Sequence, residues 1–149
     1  MTCYLFDIDG TIADNSHRQH LVQGETRDWK TYNSLMHLDK PHSHIVVLMW
    51  HLYGNGNEDG NKLICCTGRG EPDRQVTHDW LNLWKVPFHG LYMRADKDYR
   101  DDAIIKLEML QRIRSDGFEP LMAFDDRDKV VKMWRENGVP CAQVAEGNF

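Results

Sequence analysis

The sequence predicts an α/β fold of three layers: a Rossmann-like parallel sheet with helices on both faces and a small cap-like insertion. Two observations predict it. Short apolar runs alternate with stretches whose apolar residues recur at helical spacing, the pattern of a sheet covered on both sides. The apolar runs also end in polar residues of complementary type, as expected where parallel strands share one carboxyl edge.

The first strand is read at Cys3–Asp7, an aromatic-rich run that ends in two carboxylates, Asp7 and Asp9, and then Gly10-Thr11. Residues 13–40 are polar, with Trp29, Tyr32, Leu35 and Met36 spaced for a short helix, and are read as the insertion beside the site. Pro41 suits the first turn of a helix running to Tyr53. Residues 54–61 form a loop by composition. A strand at Lys62–Cys66 is followed by Thr67-Gly68-Arg69-Gly70. The next helix, Pro72–Lys85, carries Val76, Trp80, Leu83 and Trp84. Leu91–Met93 is a short strand. Asp101–Ser115 is a helix with Ile104, Ile105, Leu107, Leu110 and Ile113 on its apolar side, stopped by Asp116-Gly117. Leu121–Phe124 is a strand ending in Asp125-Asp126. A helix over Asp128–Asn137 ends at Gly138, and Cys141–Val144 closes the sheet.

Composition narrows the class. The 149 residues are most simply one domain, 41% apolar and 28% charged, which excludes disorder and a coiled coil. No apolar run approaches the ~20 residues of a membrane span, and no leader is read at the N-terminus. Cys3, Cys65, Cys66 and Cys141 form no CxxC pair and lie in strand-like runs, so buried reduced thiols and a cytoplasmic setting are expected. The formal net charge of −5 argues against broad binding to duplex nucleic acid. It leaves room for a nucleotide, or for one nucleic-acid end in a local basic pocket.

The strand ends carry the chemistry. Asp7, Asp9, Asp125 and Asp126 offer oxygen donors without Cys or His, a set suited to Mg²⁺. Thr67 offers a hydroxyl and Lys106 a positive charge. A carboxylate attacking a phosphate dianion meets like charge, at about 4 kcal/mol per unit pair for a ~4 Å separation and an effective dielectric of ~20. A divalent ion together with Lys106 offsets that. An EF-hand is excluded, since a loop starting at Asp7 has no Gly at its sixth position and no Glu at its twelfth. The bland alternatives are a surface arginine at Arg18, a solvated lysine at Lys106, a helix cap at Thr67 and an Arg69–Asp102 ion pair. Trp29 and Tyr32 could stack a base or simply pack. The histidines show no metal-binding spacing.

The segment Phe6-Asp7-Ile8-Asp9-Gly10-Thr11 resembles the first motif of the haloacid dehalogenase-like phosphatases. Thr67, Lys106 and Asp125-Asp126 stand where that superfamily has its further motifs. The run DDRDKVVKMWRENGVPCAQVAEGNF and the stretch MRADKDYRDDAIIK resemble the phosphatase domain of the phage polynucleotide kinase/3′-phosphatases. So do Thr67-Gly68-Arg69 and Arg18, eleven residues after Asp7. The resemblance implies Asp7 as nucleophile, forming an aspartyl-phosphate, and Asp9 as general acid and then base. Thr67 and Lys106 would hold the phosphoryl group. Asp7, the Asp9 carbonyl and one or both of Asp125 and Asp126 would bind Mg²⁺. Arg18, Gly68, Arg69 and Asp102 would support substrate binding. A phosphorylated nucleotide or nucleic-acid 3′ end is the implied substrate, and the host cytoplasm the setting if the chain is phage-encoded. The chain lacks G-x-x-x-x-G-K-[ST], so no kinase activity is inferred. The alternatives are a small-molecule nucleotide phosphatase, such as a nucleoside monophosphatase, and a non-catalytic module that binds a phosphorylated end.

Overall fold

A computed structural model describes residues 1–53 and 60–149. Five parallel strands form the sheet: β1 (Thr2–Phe6), β4 (Lys62–Gly70), β5 (Gly90–Arg94), β6 (Glu119–Asp125) and β7 (Cys141–Gln143). Their order is β5-β4-β1-β6-β7, so β1 lies at the centre. The chain first builds outward through β4 and β5, then crosses back to β6 and β7. The point where that direction reverses, beside β1, is where an open α/β sheet leaves a crevice at its carboxyl edge.

The period-2 alternation of the central strands explains the layers. Cys3 and Leu5 of β1, with Ile64 and Cys66 of β4, face one core. That core is closed by α5 (Asp102–Ser115) and α6 (Asp128–Glu136), through Ile105, Met109, Leu110, Ile113 and Trp134. Phe6, Leu63 and Cys65 face the other core, under α3 (Ser43–Tyr53) and α4 (Arg74–Leu83). Phe6 stacks on Phe124 across the strand pair at 4.5 Å. Asp101 caps α5 through the Ala103 N–H. All four cysteines are free and buried. Among the described residues, no helix is long and apolar enough to cross a membrane.

The insertion carries α1 (Ser16–Gln19), α2 (Trp29–Ser34) and two single turns of 3-10 helix. A two-stranded antiparallel ribbon, β2 (Ala13–Asp14) with β3 (Lys40–Pro41), clips its ends together. Pro41 therefore lies in a strand and not in the first turn of α3, which starts at Ser43. The His42 N–H donates to the Ile12 carbonyl at 2.7 Å and holds the chain extended there. The strand expected at Lys62–Cys66 runs on to Gly70, because Gly70 still pairs with Arg94 of β5 after an irregularity. Leu83, Trp84 and Ile104, placed on apolar faces by their spacing, are exposed at 70%, 40% and 47%. They sit at the ends and edges of their helices. Most of the expected 54–61 loop, residues 54–59, lies outside the described residues.

Candidate active site

The carboxyl edge of β1 and β6 gathers three acids. The Asp7 N–H donates to the Phe124 carbonyl at 3.0 Å, which holds Asp7 against the end of β6. Carboxylate oxygens of Asp7, Asp125 and Asp126 lie within 4.8 Å of one another, and all three residues are buried. One turn into α5, Lys106 reaches between two of them: its Nζ lies 2.7 Å from Asp7 Oδ1 and 2.8 Å from Asp125 Oδ2. At 2% exposed, Lys106 is not a solvated helix lysine. Three carboxylates against one ammonium leave a formal −2.

That imbalance is visible in the ionisation. Burial raises the Asp7 carboxyl well above its usual range, against the pull of Lys106, and the charges of Asp125 and Asp126 add to the rise. Burial and then the Asp125 charge push Asp126 up to about 6. Asp125 is fully engaged. Its Oδ1 accepts from the N–H groups of Asp126 and Arg127 at 2.9 and 3.3 Å. Its Oδ2 accepts from Lys106 and from the Trp134 indole at 3.4 Å. Asp126, by contrast, meets another acid, Asp7, and the Gly10 backbone. Gly10 has φ +86°, and a Cβ there would sit 2.2 Å from Asp126 Oδ2, so this turn accepts no other residue without shifting. All-oxygen donors that repel one another in a buried cluster suit a hard divalent cation.

The turn over Ile8–Ala13 aims Asp9 away from this cluster and toward the insertion. Arg18 Nη2 donates to Asp9 Oδ1 at 2.6 Å. Arg69 adds Nη2 to Oδ1 at 2.7 Å and Nε to Oδ2 at 3.0 Å. Burial works to raise the Asp9 carboxyl, but Arg69 and then Arg18 outweigh it and hold its pKa at about 2. Arg18 is fully buried under the Tyr32 ring, 4.1 Å away, and is no surface residue. Trp29 meets the Tyr32 edge and is half-exposed.

Asp39 was not among the residues expected here. It is buried, and it accepts from Arg18 Nε and Nη2 at 2.8 and 2.6 Å and from Arg69 Nη2 at 3.3 Å. His17 Nε2 lies 2.7 Å from its Oδ1. Nothing in Leu38-Asp39-Lys40-Pro41 marks it, since its partners lie 21 and 30 residues away.

Thr67 is buried within β4 and is no helix cap; its Oγ1 accepts the Arg69 N–H at 3.1 Å. Gly68 packs beneath Asp102, where a Cβ would meet Asp102 Oδ1 at 2.7 Å. Asp102 opens α5 and pairs with Arg94 and, at 2.8 Å, with Arg127. It does not pair with Arg69, which is spent on Asp9 and Asp39. Arg94 also donates to the Gly68 carbonyl at 2.8 Å. Arg94 and Arg127 were missed as well, although Arg127 directly follows the acidic pair.

The chain matches a solved structure of a Pnkp1/Rnl/Hen1 RNA repair complex at 28% identity and a TM-score of 0.83, covering 99% of this chain and 43% of that one. It is 26% identical over 143 residues to a protein of Autographa californica nuclear polyhedrosis virus described as a bifunctional polynucleotide kinase/RNA ligase. That match covers 91% of this chain and 18% of the viral protein, so the chain spans a minor part of both relatives. A haloacid dehalogenase-like hydrolase of Streptococcus pneumoniae shares the fold at 16% identity and a TM-score of 0.61, covering 95% of this chain and 83% of that one. The family model described as the polynucleotide kinase PNKP phosphatase domain matches residues 1–149, and the chain belongs to that family.

Proposed function

We propose that this chain is a single haloacid dehalogenase-like phosphatase domain that removes the 3′-phosphate from a polynucleotide end through an aspartyl-phosphate. The observation that carries the chemistry is the cluster of Asp7, Asp125 and Asp126 bridged by Lys106. Family membership and the RNA-repair relative support the substrate class. The cap-like insertion is assigned to residues 13–40. Four buried free thiols fit a reducing compartment, and we assign the cytoplasm, the host's if the chain is phage-encoded.

Asp7, Asp126 and the main-chain carbonyl of Asp9 would hold Mg²⁺, with the engaged Asp125 fixing Lys106 beside them. Bound there, Mg²⁺ would offset the charge of a phosphate dianion next to a carboxylate. The Asp7 carboxylate attacks phosphorus, forming an Oδ–P bond while the bond from phosphorus to the 3′ oxygen breaks. Asp9 delivers a proton to that oxygen. Asp9 then takes a proton from water, the water oxygen bonds to phosphorus, and the Oδ–P bond breaks to release inorganic phosphate. The Thr67 hydroxyl and Lys106 hold the phosphoryl group as charge shifts onto its oxygens. Arg18 and Arg69 flank Asp9, and Asp102 on Gly68 shapes the mouth of the site.

A panel of 3′-phosphorylated DNA and RNA oligonucleotides, 3′- and 5′-mononucleotides and p-nitrophenyl phosphate tests this. The oligonucleotides should be the best substrates with Mg²⁺. Asp7→Asn should abolish turnover, and Asp9→Asn should lower it by about 10²–10⁴-fold. Unchanged turnover in both variants defeats the mechanism. A preference for mononucleotides defeats the substrate assignment and makes the chain a nucleotide phosphatase, which its net charge of −5 would favour. Tight binding of 3′-phosphorylated ends with no phosphate released would make it a binding module.

A further inference from the structure

Asp39 is a buried carboxylate, 1% exposed, with no part in the steps above. It stands at the end of the insertion, just before β3 of the two-stranded ribbon. Its own backbone is pinned as well, because the Trp80 indole N–H donates to the Asp39 carbonyl at 2.8 Å. A carboxylate kept out of water at such a point needs cationic partners to persist, and it has them in Arg18 and Arg69.

The sharing of those two guanidiniums is unequal, and the inequality is informative. Arg18 grips Asp39 with a fork, Nε on Oδ1 and Nη2 on Oδ2, and extends the same Nη2 to Asp9. Arg69 does the reverse. Its Nε and Nη2 grip Asp9, and its Nη2 reaches Asp39 more distantly. Asp9, Arg18, Asp39 and Arg69 thus form a closed ring of alternating charge with no formal excess. Fork-shaped pairs of this kind hold a carboxylate firmly in place.

That grip conflicts with the work assigned to Asp9, whose carboxyl must turn to the leaving oxygen and later to a water. A phosphate dianion entering beside Asp9 competes for the guanidiniums. Arg18 can give up its one bond to Asp9 and stay where it is, since two bonds to Asp39 and the Tyr32 ring retain it. We infer that Asp39 is a positioning residue that anchors Arg18 independently of Asp9, so that the Asp9 side chain can be released to face the leaving oxygen. The inference rests on the phosphatase reading above. Without Asp39, Asp9 is the one carboxylate of the ring left to the two guanidiniums, and they close on it.

Asp39→Asn keeps the size and one acceptor oxygen and removes the charge. Turnover of a 3′-phosphorylated oligonucleotide, whose leaving alkoxide needs a proton, should fall at least ~50-fold. Its KM should move less than ~3-fold. The pre-steady-state burst of p-nitrophenolate from p-nitrophenyl phosphate needs no donated proton and should fall less than ~5-fold. Steady-state turnover of that ester, which needs water activated by Asp9, should drop with the oligonucleotide rate. Asp39→Glu, which keeps the charge but misplaces the fork, should show the same split to a smaller degree and serves if the Asn variant does not fold. Equal losses in burst and turnover, or no loss in either, would overturn the positioning role. Asp7→Asn is run alongside: a burst surviving in that variant overturns the underlying phosphatase reading as well.

Discussion

Two carboxylate clusters lie side by side at the edge of this sheet, and they are balanced in opposite ways. Around Asp9, two acids meet two guanidiniums and the charge closes. Around Asp7, three acids meet one ammonium and two negative charges remain. The first cluster is complete as built, and Asp9 is held low; the second raises the pKa of Asp7 and Asp126 and calls for a cation from outside. Asp7 and Asp9 are two residues apart, and the Gly10 turn sends them into these different surroundings. Under the proposed function, this contrast would put the metal on the Asp7 side and the proton transfers on the Asp9 side.

Three substitutions test that division. The largest effect is expected from Lys106→Met, which leaves the Asp7 cluster with no internal cation. Breaking a buried pair in this way costs about 3–5 kcal/mol. At roughly 2–4 °C per kcal/mol for a chain of this size, thermal melting should fall by about 10 °C, and turnover should be lost. A melting temperature within ~2 °C of wild type would mean that Lys106 does not balance these acids.

Asp126→Asn comes next and should separate metal binding from folding. Mg²⁺ at about 100 times its dissociation constant adds about 2.7 kcal/mol to a protein that binds it only when folded. Wild type should therefore melt roughly 5–10 °C higher with Mg²⁺ than with a chelator. The variant removes one of three mutually repelling charges, so it should be at least as stable as wild type in chelator and lose the Mg²⁺ shift. A full shift in the variant would return the ligand role to Asp125.

Much of the Asp7 cluster is legible in the sequence because a parallel sheet converts linear order into position. Any acid just past the end of β1 or β6 must arrive at the same edge, and a lysine one turn into α5, the helix between β5 and β6, reaches it. The Asp9 cluster is less legible. Arg18 and Arg69 are reached through the resemblance, whereas Asp39 sits in an insertion with no periodicity to place it. The same limit appears in β4. Thr67-Gly68-Arg69-Gly70 reads as lying beyond the strand, yet pairing of Gly70 with Arg94 keeps it in the sheet. Pro41 reads as a helix start, yet β2 claims it for a strand. In each case a distant partner overrides a local preference that is worth only tenths of a kcal/mol to about 1 kcal/mol.

Tyr32→Leu should give the smallest effect and the sharpest separation of the two clusters. The Tyr32 ring covers the Arg18 guanidinium at 4.1 Å, and its hydroxyl accepts from Asn15 at 2.9 Å. A desolvated cation–π contact of this kind is worth about 2 kcal/mol, which predicts a melting temperature lower by about 4–8 °C. Arg18 keeps its fork on Asp39 in the variant, so oligonucleotide turnover should fall only by about tenfold or less. The Mg²⁺-induced rise in melting temperature should be unchanged, because Tyr32 packs on Arg18, Asn15 and Trp29 and not on the acids around Asp7. If Tyr32→Leu instead erased the Mg²⁺ shift, the two clusters would have to be treated as one coupled unit, with the charge ring around Asp9 setting the affinity of the acids around Asp7.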